Sequence, residues 1–184
     1  MVKEPRAGRV KTRLGRDIGM TAAAWWFRHQ SKALIRNLSR DPRWQTVLAV
    51  APDVEGLNSR IWPSKIPRWP QGSGDLGDRM GRIFHCAPKG PVVIIGADIP
   101  HITPRLINDA FDALGRHDAV IGPAFDGGYW LIGLKRGVQP VPKALFQNVR
   151  WSHAETLNDT LRTLNTDAVK HIAALRDVDT VTDL

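Results

Sequence analysis

Three clusters in this 184-residue chain combine side chains that handle anions and metal ions. The first is Gly8-Arg9-Val10-Lys11-Thr12-Arg13-Leu14. A glycine lets backbone amides approach an anion, and a lysine adds a point charge. It is not a Walker A loop, which needs a glycine directly before the lysine, where this chain has Val10. In an extended segment the alternate spacing of Arg9, Lys11 and Arg13 points all three side chains one way, a comb suited to phosphates. A solvated charge run is the competing reading. The second cluster is Val92-Val93-Ile94-Ile95-Gly96-Ala97-Asp98-Ile99-Pro100, an apolar run ending in an acid. A buried parallel strand delivers its carboxyl end to the crevice where α/β proteins bind ligands. Facing phosphates there, the Asp98 carboxylate most simply holds a divalent cation, Mg²⁺ or Mn²⁺; otherwise Asp98 caps or turns the chain before Pro100. The third cluster places Asp126 in Pro123-Ala124-Phe125-Asp126-Gly127-Gly128-Tyr129-Trp130. Asp-Gly-Gly is an ordinary hairpin turn, which spacing alone favours. The functional alternative is a second carboxylate in the same crevice.

Gly72-Ser73-Gly74-Asp75-Leu76-Gly77 matches the dinucleotide fingerprint letter for letter. That fingerprint works only when a buried strand leads into it, because the turn must aim a helix N-terminus at a pyrophosphate. Ile66-Pro67-Arg68-Trp69-Pro70-Gln71 precedes it, and two prolines block a central strand. A dinucleotide cofactor is therefore not expected, although the loop, Arg79 and the helix start near Asp75 remain available to a ligand. No two of the six histidines have the spacing of a helical zinc site, and the single cysteine, Cys86, cannot complete a thiolate cluster.

The elements that must position these residues follow from periodicity. Short apolar runs bounded by Gly, Pro or Asp read as strands over Thr46–Ala51, Val92–Ala97, Ala119–Gly122 and Trp130–Leu134, with another over Lys170–Leu175. Helical patterns fill Thr21–Ser39, Asp75–Ala87, Pro104–Leu114 and His153–Leu164, the last with Ser152 as its cap. Alternation of this kind predicts an α/β sandwich with a mainly parallel sheet flanked by helices. Residues 51–74 read as a long loop, and a loop of that length is usually functional. The tryptophans at 25, 26, 44 and 151 read as packing residues.

The length fits one domain over residues 1–184, large enough to hold a core without disulfides. The lone cysteine points to a reducing, cytoplasmic setting, and no apolar run approaches the ~20 residues of a membrane helix. The net charge of +8 is one-sided: residues 1–90 carry 17 Lys/Arg against 7 Asp/Glu, and residues 91–184 carry 9 against 11. Such a block suggests an anionic partner. Nucleic acid rests on charge alone and is not the expected partner.

Taken together, Lys3-x-Pro5-x-x-Gly8-x-Val10-Lys11-Thr12-Arg13-Leu14, Gln71-Gly72-x-Gly74-Asp75-Leu76-Gly77-x-Arg79-Met80, Gly96-x-Asp98-x-Pro100 and Pro123-x-x-Asp126-Gly127-Gly128-Tyr129-Trp130, with Trp151-Ser152 and Asp177-Val178-Asp179-Thr180, resemble the radical-SAM/selenodomain-associated glycosyltransferase-like family. That family lies within the nucleotide-diphospho-sugar transferase superfamily. The likeness runs in order over nearly the whole chain and implies a Rossmann-like GT-A sandwich. It also implies that Gly8, Arg9, Lys11 and Arg13 hold the phosphates of a nucleotide, and that Gln71, Gly74, Asp75 and Arg79 lie beside the nucleotide or acceptor. Asp98 takes the part of the metal-binding aspartate, and Asp126 assists with the metal or the sugar. His101 stands where the family carries an acid, Phe125 where a polar residue is usual, and only Met1-Val2 precede Lys3 where an apolar first strand is expected.

The function this implies is a cytoplasmic, Mg²⁺-dependent transferase with Asp98, Lys11 and Asp126 as catalytic residues, acting on a nucleotide sugar and a small-molecule acceptor. The opening Lys-Thr-Arg-Leu also resembles 2-phospho-L-lactate guanylyltransferases, so nucleotidyl transfer from a nucleoside triphosphate is the alternative, with a noncatalytic nucleotide or anion binder behind it.

Overall fold

The computed structural model describes residues 1–137 and 140–183. The chain forms two compact units, one from Met1–Gln71, Gly96–Pro104 and the segment from Arg176 on, the other from Gly72–Ile95 and Arg105–Leu175.

In the first unit β1 (Val2–Lys3), β2 (Leu48–Ala51) and β3 (Arg68–Pro70) make a parallel sheet in the order β1-β2-β3. Its register pairs Val2 with Val50 and Leu48 with Arg68. The helices are α1 (Thr12–Ile18), α2 (Met20–Leu38) and α3 (Asp53–Leu57). Helix α2 buries Ala24, Phe27, Ser31, Leu34, Ile35 and Leu38, a 3–4 residue repeat that keeps one face inward. Ala24, Phe27 and Ile35 join Val2, Val10, Leu48, Val50, Trp62 and Ala97 in one core.

Residues 51–74 are not a loop. Helix α3 occupies their start, and Trp62 anchors the middle at 2% exposure. The Arg68 guanidinium donates to the carbonyls of Gly56, Leu57, Ser59 and Trp62 at 2.8–3.3 Å, so backbone that would otherwise need water is satisfied internally. The two prolines did not prevent a strand, because β3 lies at the end of the order, where missing N–H groups are tolerated. Leu48 N–H donates to Pro67 and Gln71 N–H to Val50, so the ladder uses the bonds proline still permits.

The second unit holds α4 (Leu76–Cys86), β4 (Val92–Ile95), α5 (Pro104–Leu114), β5 (Ala119–Pro123), β6 (Tyr129–Leu134), α6 (Thr156–Thr163) and β7 (Val169–His171). Its sheet runs β4-β6-β5-β7. Here the parallel expectation fails for two pairings: β4 and β5 both run antiparallel to β6, and only β5 and β7 are parallel. The five residues 124–128 between β5 and β6 are too few for the crossover a parallel pair requires. Buried Val120, Ile121, Trp130, Leu131 and Ile132 fill the centre of this sheet. Helix α6 begins three residues later than His153 and has Glu155, not Ser152, at its N-cap. Trp25 is 62% exposed, with its ring against His29, and so is not a packing residue.

Candidate functional site

Lys11 does not sit in an extended comb. The chain turns at Gly8 (φ 73°), and Lys11 takes a left-handed conformation (φ 45°, ψ 48°) at the N-cap of α1, whose first bond runs from Gly15 N–H to the Lys11 carbonyl. Such backbone in a residue with a Cβ costs on the order of 1 kcal/mol and persists only where its surroundings enforce it. The helix therefore breaks the alternation on which the comb depended. Arg9 is left exposed, with no side-chain hydrogen bond or ion pair among the described residues, whereas Lys11 turns inward.

The Lys11 ammonium lies 2.7 Å from Asp98 Oδ2 and 3.0 Å from Asp179 Oδ1, and its side chain is only 6% exposed. Arg13, itself well exposed, donates to the other Asp179 oxygen at 2.8 Å. Burial pulls the Lys11 pKa down, but the charges and hydrogen bonds of Asp98 and Asp179 outweigh it, and the net shift is upward. Lys11 is thus a protonated, nearly enclosed cation shared by two carboxylates that each remain about one-third exposed.

Local packing accounts for this meeting. Leu14 of α1 is fully buried against Ala23 and Val178, which brings the C-terminal segment beside Lys11. A tight turn then fixes Asp179: the Asp183 carboxylate accepts from the backbone N–H groups of Asp179 and Thr180 and from the Thr180 hydroxyl, and the hydroxyl and amide of Thr180 hold its pKa below the usual range. Asp17 of α1 accepts from Val181 N–H. Asp98 is held from the other direction. Ser31, fully buried on α2, donates through Oγ to the Ala97 carbonyl at 3.1 Å, one residue before the acid. The run leading to Asp98 is not a parallel strand, however, since β4 stops at Ile95 and pairs antiparallel.

Of the residues singled out in the sequence, the structure thus joins Lys11, Arg13 and Asp98, and adds Asp179. Asp179 lay in a motif noted only for its resemblance, and Ser31 carried no sequence signal at all. Gln71 is 3% exposed, and its amide nitrogen donates to the carbonyls of Val2 and Ala49 at 3.1 and 2.8 Å, which locks the short β1 to β2. That is a structural task.

Gly74, Asp75 and Arg79 belong to the second unit, where they build the start of α4. Asp75 and Asp78 form a reciprocal capping box, with bonds of 2.9 and 3.0 Å. Trp151 donates to the second Asp75 oxygen, and Arg79 Nε donates to the Gly74 carbonyl at 3.1 Å. Gly74 needs its positive φ of 100°, and a Cβ there would strike the Asp78 carboxylate. Asp126 serves the β5–β6 turn by accepting from Gly128 N–H at 2.9 Å. The neighbouring Gly127 lies so close to the Ala154 backbone that a side chain could not enter. Among the described residues, no three His, Cys, Asp or Glu side chains gather as a metal-holding group.

A parallel three-stranded sheet with its helices places the chain among α/β proteins, and its first unit holds a lysine between two aspartates. It is similar over 99% of its length to a crystal structure of a "putative nucleotide-diphospho-sugar transferase" from Desulfovibrio desulfuricans G20, with a TM-score of 0.83, 32% identity and 81% of that chain covered. Residues 34–153 match the family described as "Uncharacterized protein conserved in bacteria (DUF2064)", and the chain belongs to that family. None of the curated proteins matches. No helix among the described residues is long and apolar enough to cross a membrane.

Proposed function

We propose that this chain is a cytoplasmic transferase that moves a glycosyl group from a nucleotide sugar to a small-molecule acceptor with the help of Mg²⁺ or Mn²⁺, as in the selenodomain-associated branch it resembles. The observation that carries the reading is the Lys11 ammonium held at 2.7 and 3.0 Å by Asp98 and Asp179, with Arg13 on the second Asp179 oxygen. The likeness to the Desulfovibrio protein supports the reaction class.

The residues fit a hard divalent cation. Asp98 and Asp179 already bring carboxylate oxygens within contact of one positive charge, and both stay partly open to solvent. Mg²⁺ is commonly bound by one or two protein carboxylates, with waters and substrate phosphates completing its shell, so a two-carboxylate set suits it. When bound, such a cation supplies Lewis-acid stabilisation of phosphate oxygens. Lys11 and Arg13 add charge-assisted hydrogen bonds to the negative charge that develops on a departing nucleoside diphosphate. Asp179 orients Arg13 through its second oxygen, and Ser31 fixes the backbone behind Asp98. The reading requires only residues of the first unit.

Nucleotidyl transfer is the second reading, favoured by the Lys11-Thr12-Arg13-Leu14 resemblance to guanylyltransferases. The test is a thermal-shift screen of nucleotide sugars and nucleoside triphosphates, with and without Mg²⁺, followed by product analysis. Cation-dependent stabilisation by a nucleotide sugar, with release of nucleoside diphosphate, is the expected result. Pyrophosphate release from a nucleoside triphosphate would transfer the assignment to the second reading. If no nucleotide raises the midpoint and Asp98→Asn alters nothing, the transferase reading fails.

A further inference from the structure

In this arrangement Lys11 occupies the position between two carboxylates that a metal ion would need. Its side chain is nearly enclosed, and its nitrogen contacts both Asp98 Oδ2 and Asp179 Oδ1 at ion-pair distance. One pair of carboxylates cannot hold an ammonium and a divalent cation at these distances together, because the two positive groups would then lie within a few ångströms of each other in a partly desolvated cluster. We propose that Lys11 is the resident counter-ion of the Asp98/Asp179 pair, and that a divalent cation and the Lys11 ammonium exclude each other there. Cation binding then releases the Lys11 side chain to a phosphate of the incoming ligand. The inference rests on the metal reading above and adds an order to it, with cation first and phosphate second.

The backbone supports an exchange of this kind. Lys11 is the N-cap of α1, in the left-handed region and outside the helical turns, so a change in its side-chain rotamer requires no change in the helix. Both of the Lys11 ion pairs are made by the tip of a flexible four-carbon stem. Arg13 stays on Asp179 Oδ2, the oxygen that Lys11 does not use, so the exchange need not disturb it. The ammonium thus keeps the two acids paired when no metal is present, where bare like charges at this separation would repel.

The consequence has an unusual sign. Removing a basic residue from a phosphate-binding cluster normally only weakens ligands, but here it should strengthen one of them. Calorimetric titration of the full chain with MgCl₂ alone is expected to show Lys11→Met binding at least about tenfold tighter than wild type, a gain of about 1.4 kcal/mol. Methionine keeps most of the side-chain volume, and Lys11→Ala provides a second variant should one of them fold poorly; far-UV circular dichroism establishes folding for both. Pyrophosphate, titrated in saturating Mg²⁺, is expected to bind either variant at least about tenfold more weakly than wild type. Equal or weaker Mg²⁺ binding by both variants, with wild type binding measurably, overturns the exchange and leaves the metal reading standing. Failure of wild type, Lys11→Met and Lys11→Ala alike to bind Mg²⁺ or Mn²⁺ overturns both.

Discussion

Ser31→Ala removes one oxygen from the interior of the first unit, and its effect can be worked from a single bond. The hydroxyl is fully buried on α2 and donates to the Ala97 carbonyl at 3.1 Å, and Ala97 is only 6% exposed. Removing the donor takes a partner from a buried carbonyl, while the buried hydroxyl's own desolvation is recovered, which leaves a net loss of about 1–2 kcal/mol. In a chain of this size each kcal/mol moves the melting midpoint by about 2–4 °C, so a decrease of about 2–8 °C is expected. Intrinsic fluorescence is a suitable probe, because Trp26 and Trp62 pack in or against the core that contains Ala97. Arg36→Ala, an exposed site on the same helix, should stay within about 0.5 kcal/mol of wild type and serves as the control. The bond also fixes the backbone one residue before Asp98, so folded Ser31→Ala protein should bind Mg²⁺ more weakly than wild type. A variant as stable as the Arg36→Ala control, with unchanged Mg²⁺ affinity, would refute the claim that this hydroxyl holds the acid in place.

Two further expectations concern the second unit. Arg150 hydrogen-bonds the Asp159 carboxyl and holds its pKa at about 2, down from the usual 3.8, against the opposing effect of burial, so the stabilisation is complete above pH 4 and is lost as the pH falls through 2. Urea denaturation should therefore show Asp159→Asn less stable than wild type at pH 7, with the gap closing between pH 4 and pH 2; a gap independent of pH would contradict the assignment. Gly127→Ala should destabilise by at least about 1–3 kcal/mol, since Gly127 has a φ of 87° and a Cβ would collide with the Ala154 backbone. Gly137→Ala, where a Cβ meets nothing, should be close to neutral in the same denaturation series.

Local signals were readable where chemistry and periodicity are local. The helical patterns over Thr21–Ser39 and Asp75–Ala87 follow from spacing within a few residues, and both are present as α2 and α4. The Asp-Gly-Gly turn is likewise a property of its own residues. The direction of strand pairing was legible only in part: the parallel expectation holds for β1-β2-β3 and for β5 with β7, and fails at β6. An apolar run such as Val92–Ile95 reports burial but not which strand lies beside it, and here the partner is antiparallel. Helix α1 was hidden because Gly8, Gly15 and Gly19 and the dense charge around them look like a loop, while the left-handed start at Lys11 has no sequence mark. Ser31 is one polar residue on an otherwise apolar face, and nothing in its neighbours distinguishes a buried donor from a tolerated substitution. Asp179 is the plainest case: it meets Lys11 across 168 positions, brought there by the packing of Leu14 with Val178 and by the Asp17–Val181 hydrogen bond, none of which is local in sequence.

That long-range contact changes what the charge distribution means. The sequence division set a basic first half against a slightly acidic second half, as though one gathered phosphates and the other supplied carboxylates. In the folded chain the acidic C-terminal segment lies in the same unit as the basic N-terminus, and the acids pair with the very cations that looked free. Lys11 and Arg13 carry two positive charges and Asp98 and Asp179 two negative ones, so this group of four is formally neutral. The surplus of +8 therefore resides elsewhere, and a phosphate arriving at the group gains no net Coulombic attraction from it. Attraction must then come from rearrangement or from an added cation. Under the exchange proposed for Lys11, a divalent ion supplies both: it converts the neutral group to a net charge of +2 and at the same time frees an ammonium, so the preference for phosphates becomes conditional on the metal.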